Sequence, residues 1–346
     1  MQRPFSRNLT LAAVMLAALF GLQTLAFAQY DVHTLTSNQP GKAPNNDPHL
    51  VNAWGLTSAA ASPFWVSDQV TGLSTLYNAQ GVPQQLVVAI PSATGEGPGS
   101  PTGIAFNGSQ DFVVKAHDLS GPALFIFATL DGTISGWNPT VDLTHAILAP
   151  HQPTSGAVYT GLAIASDINW IYAADAAGGK VDVYDGKFNP IFTFTDPEVP
   201  GNFTPYGIRV IGKQVFVTFA SPTDVPGGVV DVFDEFGNFV KRLITNGPLN
   251  QPWGLALAPA NFGKFSNALL VGNNLPNGMI NAFDAETGKF LGTLKDTHGR
   301  KIVIDQLWGL DFGKGSPVNG ATNQLFFTAG PENYSQGRFG VIELHP

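Results

Sequence analysis

Cysteine is absent from the sequence of 346 residues. Its absence excludes thiol catalysis, cysteine-ligated zinc, iron–sulfur clusters and disulfide bonds. An exported chain without disulfides must be stabilised by its own hydrophobic core, which a small secreted module usually cannot form. A chain of this length, with 44% apolar residues, is large enough to form one.

Charged residues are scarce too, at 12% of the chain, about half of the ~25% found in an average protein. Glycine and proline are abundant, with 39 and 26 residues. Few helix-favouring charged residues and many turn formers predict an all-β fold. The formal net charge is -8, and the sequence has no basic stripe that could neutralise phosphates. We therefore expect no nucleic-acid partner.

Long hydrophobic runs are lacking outside the N-terminal segment, so we expect no transmembrane segment in the mature chain. The first 28 residues contain Arg3 and Arg7, an apolar run from Leu9 to Phe20, and a small-residue site ending at Ala28. This order is typical of a secretory signal peptide. We therefore predict a signal peptide over residues 1–28. Residues 29–346 would then form one exported domain, periplasmic or secreted, and monomeric.

Familiar local motifs of catalysis and cofactor binding are also missing. The sequence has no H-E-x-x-H pair, no EF-hand loop, no G-x-S-x-G elbow, no G-x-x-x-x-G-K-[ST] loop and no complete G-x-G-x-x-G. We therefore expect no cofactor, and any metal site would have to be assembled from distant parts of the chain.

A short phrase is repeated six times along the chain: a small or aromatic residue, then glycine, then leucine or isoleucine. The glycines are Gly55, Gly103, Gly161, Gly207, Gly254 and Gly309, separated by 48, 58, 46, 47 and 55 residues. A recurring unit of this length is the sequence signature of a repeat architecture.

The third repeat shows the layout of one unit. Four β-rich runs, near residues 161–164, 170–174, 180–184 and 191–194, are separated by Gly, Asp and Asn turns. Four short strands of this kind form one propeller blade. The second repeat has an additional apolar run, residues 112–115 before residues 124–127, and the sequence does not decide which run is the second strand.

The sixth repeat lacks a fourth strand, whereas the alternating segment from Tyr30 to Leu35 has no blade of its own. Pairing this segment with the last blade would close the ring and remove an open sheet edge. We therefore predict a six-bladed β-propeller, closed by an N-terminal strand in the last blade.

Propeller geometry would bring the starts of the inner strands together around one mouth of the central channel. Candidate ligand-binding residues there are Asn52, Trp54, Tyr206, Trp253 and Trp308. Aromatic rings with a few polar neighbours suit a small ligand held by stacking. The alternative is that the tryptophans pack between the blades as core.

A metal site at the same mouth is a second hypothesis. The ends of the second strands supply Asp68, Asp175 and Asn273, whose oxygens, with that of Asn52, would suit Ca²⁺. His49, His151 and His298 with a carboxylate would instead suit Zn²⁺ or another transition metal. No local ligand spacing favours either metal.

The repeats themselves resemble a known family. The Pro-x-Gly-Ile/Leu-Ala phrase, second strands ending in Ala-Asp or Gly-Asn, and third strands ending in Val-Tyr/Phe-Asp resemble the NHL repeat, a module of six-bladed propellers. Residues 50–56, 72–78, 132–138, 261–266 and 327–331 further resemble a family of uncharacterised exported bacterial propellers. The resemblance implies the fold and export, because that family has no established activity.

Two functions are expected on these grounds. The first is a binding or interaction module whose channel mouth holds a small molecule, a glycan or an extracellular protein partner. The second is a metal-dependent hydrolase or lyase of the lactonase type. Similar six-bladed propellers include calcium-dependent lactonases, which hold the metal with a Glu and several Asn or Asp at the inner-strand starts. Here those positions are mainly Trp, Tyr and Thr, a departure that favours the binding module.

Overall fold

The computed structural model describes residues 29–345 except 96, 153–155, 166, 201 and 224. Within these residues the protein is all-β, with six small sheets arranged in a ring as a six-bladed β-propeller. The predicted signal peptide, residues 1–28, lies outside the described residues. None of the described helical segments is long and apolar enough to cross a membrane.

Each blade is an antiparallel sheet whose inner strand carries the repeated glycine phrase. From blade 1 to blade 6, the inner strands are Ala53–Thr57, Pro101–Phe106, Tyr159–Ala165, Thr204–Ile211, Pro252–Leu257 and Leu307–Phe312. The second strands are Phe64–Asp68, Phe125–Thr129, Trp170–Asp175, Gln214–Ala220, Ala268–Asn273 and Leu325–Ala329. The third strands are Leu73–Tyr77, Ile134–Trp137, Lys180–Tyr184, Val229–Asp234, Ile280–Asp284 and Arg338–Leu344. The fourth strands are Val88–Ala89, Ile147–Leu148, Pro190–Phe194, Phe239–Thr245, Phe290–Thr293 and Tyr30–Ser37.

The N-terminal strand closes the ring, as predicted. Tyr30–Ser37 pairs antiparallel with Arg338–Leu344, and a short strand, Asn45–Asn46, continues the sheet in parallel with it. Inner strands of successive blades contact one another, and the inner strand of blade 6 contacts that of blade 1.

Blade 2 contains a separate hairpin. Phe125–Thr129 pairs with the inner strand and is therefore the second strand of this blade. The earlier apolar run forms Val113–Ala116, which pairs with Leu119–Pro122 outside the blade. A short 3₁₀ helix, Gly263–Phe265, lies between the first two strands of blade 5.

Among the described residues, the hydrophobic core is divided into six clusters, each between two neighbouring blades. Most blade strands are buried on both faces, which explains why runs such as Val229–Asp234 read as nearly continuous apolar sequence. The third strand of blade 3 keeps an alternating pattern, with Val181 and Val183 in the seam between blades 3 and 4.

The repeated glycines lie where adjacent inner strands approach most closely. A Cβ atom added to Gly207 would lie 2.1 Å from the Trp253 carbonyl oxygen, and one on Gly254 would lie 2.5 Å from that of Trp308. The same relation to the next blade recurs around the ring, from Gly309 back to Trp54. Only glycine lets the backbones pack at this distance, so these residues have a structural role.

Candidate functional site

Five aromatic residues gather at the mouth of the channel where the inner strands begin. We call them the aromatic cluster: Trp54, Tyr206, Trp253, Trp308 and Tyr334. Trp54 stacks on Trp308 with ring centroids 3.6 Å apart, and Trp253 meets both indoles edge-on at 6.3 and 5.7 Å. Tyr206 and Tyr334 contact Trp308 at centroid distances of 5.8 and 5.7 Å. The structure thus brings together the four aromatic residues that the repeat pattern had selected.

Burial divides the aromatic cluster into a floor and a rim. Trp308 and Trp54 are 2% and 6% exposed, so they form the packed floor. Trp253 and Tyr206 are partly buried, and Tyr334 is 36% exposed, so their rings face the solvent in part. The sequence left open whether the tryptophans are core or binding surface. In the structure Trp54 and Trp308 are core, whereas Trp253 is partly exposed at the channel mouth.

Hydrogen bonds fix most polar atoms of the aromatic cluster. Trp308 Nε1 donates to Asn52 Oδ1 at 2.8 Å, and Trp253 Nε1 donates across the channel to the Thr160 carbonyl at 2.9 Å. The Tyr334 hydroxyl donates to Asn274 Oδ1 at 2.8 Å. Trp54 Nε1 differs, because this buried donor has no partner among the described residues. An unpaired buried donor costs roughly 1 to 3 kcal/mol, so an acceptor that reached it would be bound favourably.

Local backbone geometry explains how the indoles reach the channel. In each blade the pairing register between the inner and second strands shifts at the glycine phrase, as between Ala53 and Leu56. A register shift of this kind is a β-bulge, which changes the direction in which a side chain points. In the three blades with a tryptophan before the repeated glycine, the residue two positions before that tryptophan has a positive φ. The values are 49° at Asn52, 50° at Gln251 and 45° at Gln306. Positive φ is uncommon for residues other than glycine.

Tyr334 is held in place by an unusual turn. Glu332, Asn333 and Tyr334 have φ of 55°, 53° and 66°, three consecutive residues in the left-handed region. This conformation costs roughly 1 to 2 kcal/mol for each residue that is not glycine. The Glu332 amide donates to Asp305 Oδ2 at 3.1 Å, and the Tyr334 amide donates to the Gly330 carbonyl at 2.9 Å, which holds the turn. Strain of this kind is concentrated at functional sites, where the fold maintains it.

The predicted oxygen ligands for a metal have other partners, each in its own blade. Asp175 Oδ1 accepts hydrogen bonds from the amides of Val158 and Gly178 at 3.0 Å, and Asn273 Nδ2 donates to the Pro248 carbonyl at 2.8 Å. Asp68 Oδ2 accepts from the Thr75 hydroxyl at 2.7 Å, whereas Oδ1 has no partner among the described residues. Burial raises the pKa of Asp68 well above its ordinary value, and the charge of Asp47 adds to this effect.

Two of the three loop histidines lie beside other carboxylates. His49 Nδ1 is 3.1 Å from Asp47 Oδ1, and His298 is largely exposed beside Asp296. His151 is exposed as well. In the part of the chain that the structure describes, no three His, Asp or Glu side chains are grouped so that they could hold a metal ion.

An ion-pair group crosses the channel at its other end. Arg209, on the inner strand of blade 4, donates from Nη2 to Asp311 Oδ1 of blade 6 at 2.7 Å and from Nη1 to the Leu310 carbonyl at 3.2 Å. Lys314 Nζ contacts the same Asp311 oxygen at 2.8 Å. Burial alone would raise the pKa of the Asp311 carboxyl, but the charges of Arg209 and Lys314 outweigh it and hold that pKa below its ordinary value.

Sequence reasoning missed Tyr334, Arg209 and Asp311. Arg209 and Asp311 each stand two residues after a repeated glycine, where the other blades have Thr57, Ala105, Ala163 and Ala256. A comparison of equivalent blade positions could therefore have identified the pair. Tyr334 does not occupy a position that recurs from blade to blade, so a comparison of equivalent positions could not have identified it.

Two curated relatives, both uncharacterised proteins of Acanthamoeba polyphaga mimivirus, align with nearly the whole chain. Protein L690 is 32% identical over 334 residues, covering 92% of this chain and 86% of the relative. Protein R648 is 30% identical over 335 residues, covering 92% and 81%. No family model matches the sequence.

Solved propeller structures share the fold at much lower sequence identity. A gluconolactonase from Xanthomonas campestris superposes with a TM-score of 0.56 at 13% identity, covering 86% of this chain and 87% of its own. Virginiamycin B lyase from Staphylococcus aureus superposes with a TM-score of 0.54 at 11% identity, covering 92% and 100%. At these identities the similarity shows the fold alone.

Proposed function

The chain belongs to the same family as the uncharacterised mimivirus proteins L690 and R648, and we propose that it is an exported binding module. The aromatic cluster at its channel mouth would hold a small molecule or glycan. The ligand would have an apolar face for stacking on the partly exposed rings of Tyr206, Trp253 and Tyr334. Because both relatives are uncharacterised, the proposal depends on the site.

The observation that carries the proposal is the strained turn at residues 332–334. It holds a partly exposed tyrosine against Trp308, beside the partly exposed rings of Trp253 and Tyr206. Backbone strain persists where the surrounding structure maintains it and is concentrated at binding and active sites, and here it presents a partly exposed ring beside two others. Tyrosine and tryptophan are the residues that most often dominate binding surfaces of this kind.

Ligand-observed NMR can test this function. Neutral oligosaccharides and small apolar metabolites are screened against the wild-type protein, and each ligand found is titrated against Tyr334→Ala. We expect this variant to weaken binding about tenfold, as for a typical aromatic anchor. Phe236→Ala is a matched control, because Phe236 is 61% exposed and lies in blade 4 outside the aromatic cluster.

Equal affinities of the wild type and Tyr334→Ala would show that the ligand binds elsewhere. A screen without any ligand would contradict the binding module itself. Elemental analysis of the same preparation addresses the lactonase-type alternative. Stoichiometric Ca²⁺ that is lost on Asp68→Ala would support an enzyme instead.

Export is proposed on the N-terminal sequence alone. Expression of the full chain in a bacterial host, followed by intact-mass measurement of the extracytoplasmic fraction, should give a protein that begins at Gln29. A protein that remains in the cytoplasm and retains Arg3 and Arg7 would contradict export.

A further inference from the structure

The channel contains a cavity of about 250 Å³ on the side away from the aromatic cluster. Its walls include inner-strand residues that follow the repeated glycines, such as Phe106, Ile164, Arg209 and Leu310, and Ser58 just after the inner strand of blade 1. Trp253 and several of the glycines also line it. The cavity shares Trp253 with the aromatic cluster, but none of the other four members of that cluster lines it.

The ion-pair group to which Arg209 belongs carries a net positive charge. Asp311 is paired with both Arg209 and Lys314, so two cations share one anion and leave one net positive charge. The chain as a whole carries a formal charge of -8. A local excess of positive charge on an acidic protein would draw a small anion to this end of the channel.

Donor groups remain available for such an anion. The Arg209 side chain lines the cavity and is 34% exposed, and a guanidinium has five N–H donors in a planar fork. Ser58 also lines the cavity, and its buried hydroxyl has no partner among the described residues. Aliphatic side chains, among them Ile104, Ile164 and Leu310, form apolar patches on the remaining wall.

We propose that this cavity binds a small organic monocarboxylate, with its carboxylate at Arg209 and its apolar body against the aliphatic wall. Arginine is the side chain best suited to bind a carboxylate, because its fork matches the two oxygens. The volume is sufficient, since a cavity of about 150 Å³ already admits benzene. Benzoate is therefore a suitable probe, and benzyl alcohol is its neutral counterpart.

The test is a calorimetric or NMR titration of the full mature chain with sodium benzoate. We expect dissociation constants of about millimolar for benzoate, as for other ligands of this size, and no comparable binding of benzyl alcohol. Arg209→Gln should weaken benzoate binding about tenfold, since hydrogen bonds to a charged group are lost. Arg300→Gln removes the same charge at an exposed ion pair with Asp296 and should leave the affinity unchanged.

Asp311→Asn distinguishes the proposed binding role of Arg209 from a purely structural role of the ion pair. A structural role alone predicts no gain in benzoate affinity. Removing the carboxylate leaves Arg209 and Lys314 without their anion, so benzoate should bind several-fold more tightly. Equal binding of benzoate and benzyl alcohol, or an affinity that Arg209→Gln leaves unchanged, would overturn the proposal. If Asp311→Asn does not fold, those two comparisons still decide it.

Discussion

Replacing Gly207 by alanine tests the structural role of the repeated glycines. The added Cβ would lie 2.1 Å from the Trp253 carbonyl oxygen and 3.0 Å from Thr218 Oγ1. An ordinary carbon–oxygen contact is about 3.3 Å, so two inner strands must separate by roughly 1.2 Å. Overpacking of this kind costs about 1 to 3 kcal/mol, and we expect the upper end because the opposing atom is backbone.

This cost converts into a measurable shift in thermal unfolding. A domain of roughly 300 residues has an unfolding entropy of about 0.6 kcal/mol/K, so 3 kcal/mol lowers the midpoint by about 5 °C. Gly108→Ala is the matched control, because its nearest neighbour would be a Phe106 ring carbon at 3.4 Å. Scanning calorimetry of both variants gives the comparison. A Gly207→Ala midpoint equal to that of Gly108→Ala would refute the close-packing argument.

Two further predictions concern stability. Deleting residues 29–36 removes the closing strand and Tyr30, which is fully buried and donates to the Phe262 carbonyl at 3.0 Å. Loss of that side chain alone should cost about 3 to 5 kcal/mol, and an unchanged thermal midpoint would contradict ring closure. Burial raises the pKa of Asp231 to about 7, despite the opposing charge of Arg242. Between roughly pH 4 and pH 7 the folded state keeps a proton on Asp231 that the unfolded state has released. The free energy of unfolding should therefore fall as the pH rises, by up to about 1.4 kcal/mol per pH unit. Denaturant unfolding at several pH values should show this slope in the wild type and a flatter one in Asp231→Asn, and equal slopes would contradict it.

Much of the fold could be predicted because one physical requirement recurs in every blade. Close packing of inner strands needs glycine at Gly55 and its equivalents, and an unpaired edge needs a partner such as Tyr30–Ser37. The hairpin of blade 2 could not be assigned, because Val113–Ala116 and Phe125–Thr129 are both short β-rich runs. The two runs differ in the strands with which they pair, and their composition does not reveal those partners.

The site was predictable only where it follows the repeat. Trp54, Tyr206, Trp253 and Trp308 occupy equivalent positions before a glycine, so the propeller geometry collects them. Tyr334 reaches them through a left-handed turn, a conformation that its sequence does not favour. Arg209 and Asp311 are 102 residues apart, and their contact depends on the closed ring.

The most direct measurement of the central claim is a ¹H–¹⁵N correlation spectrum of the tryptophan indoles during titration with a ligand from the screen. The chain has six tryptophans, of which Trp54, Trp253 and Trp308 lie in the aromatic cluster, whereas Trp65, Trp137 and Trp170 pack elsewhere. Binding at the channel mouth predicts that the first three signals shift, with Trp253 most affected because it is the partly exposed indole of the three. Shifts confined to the other three, or none at saturating ligand, would contradict it.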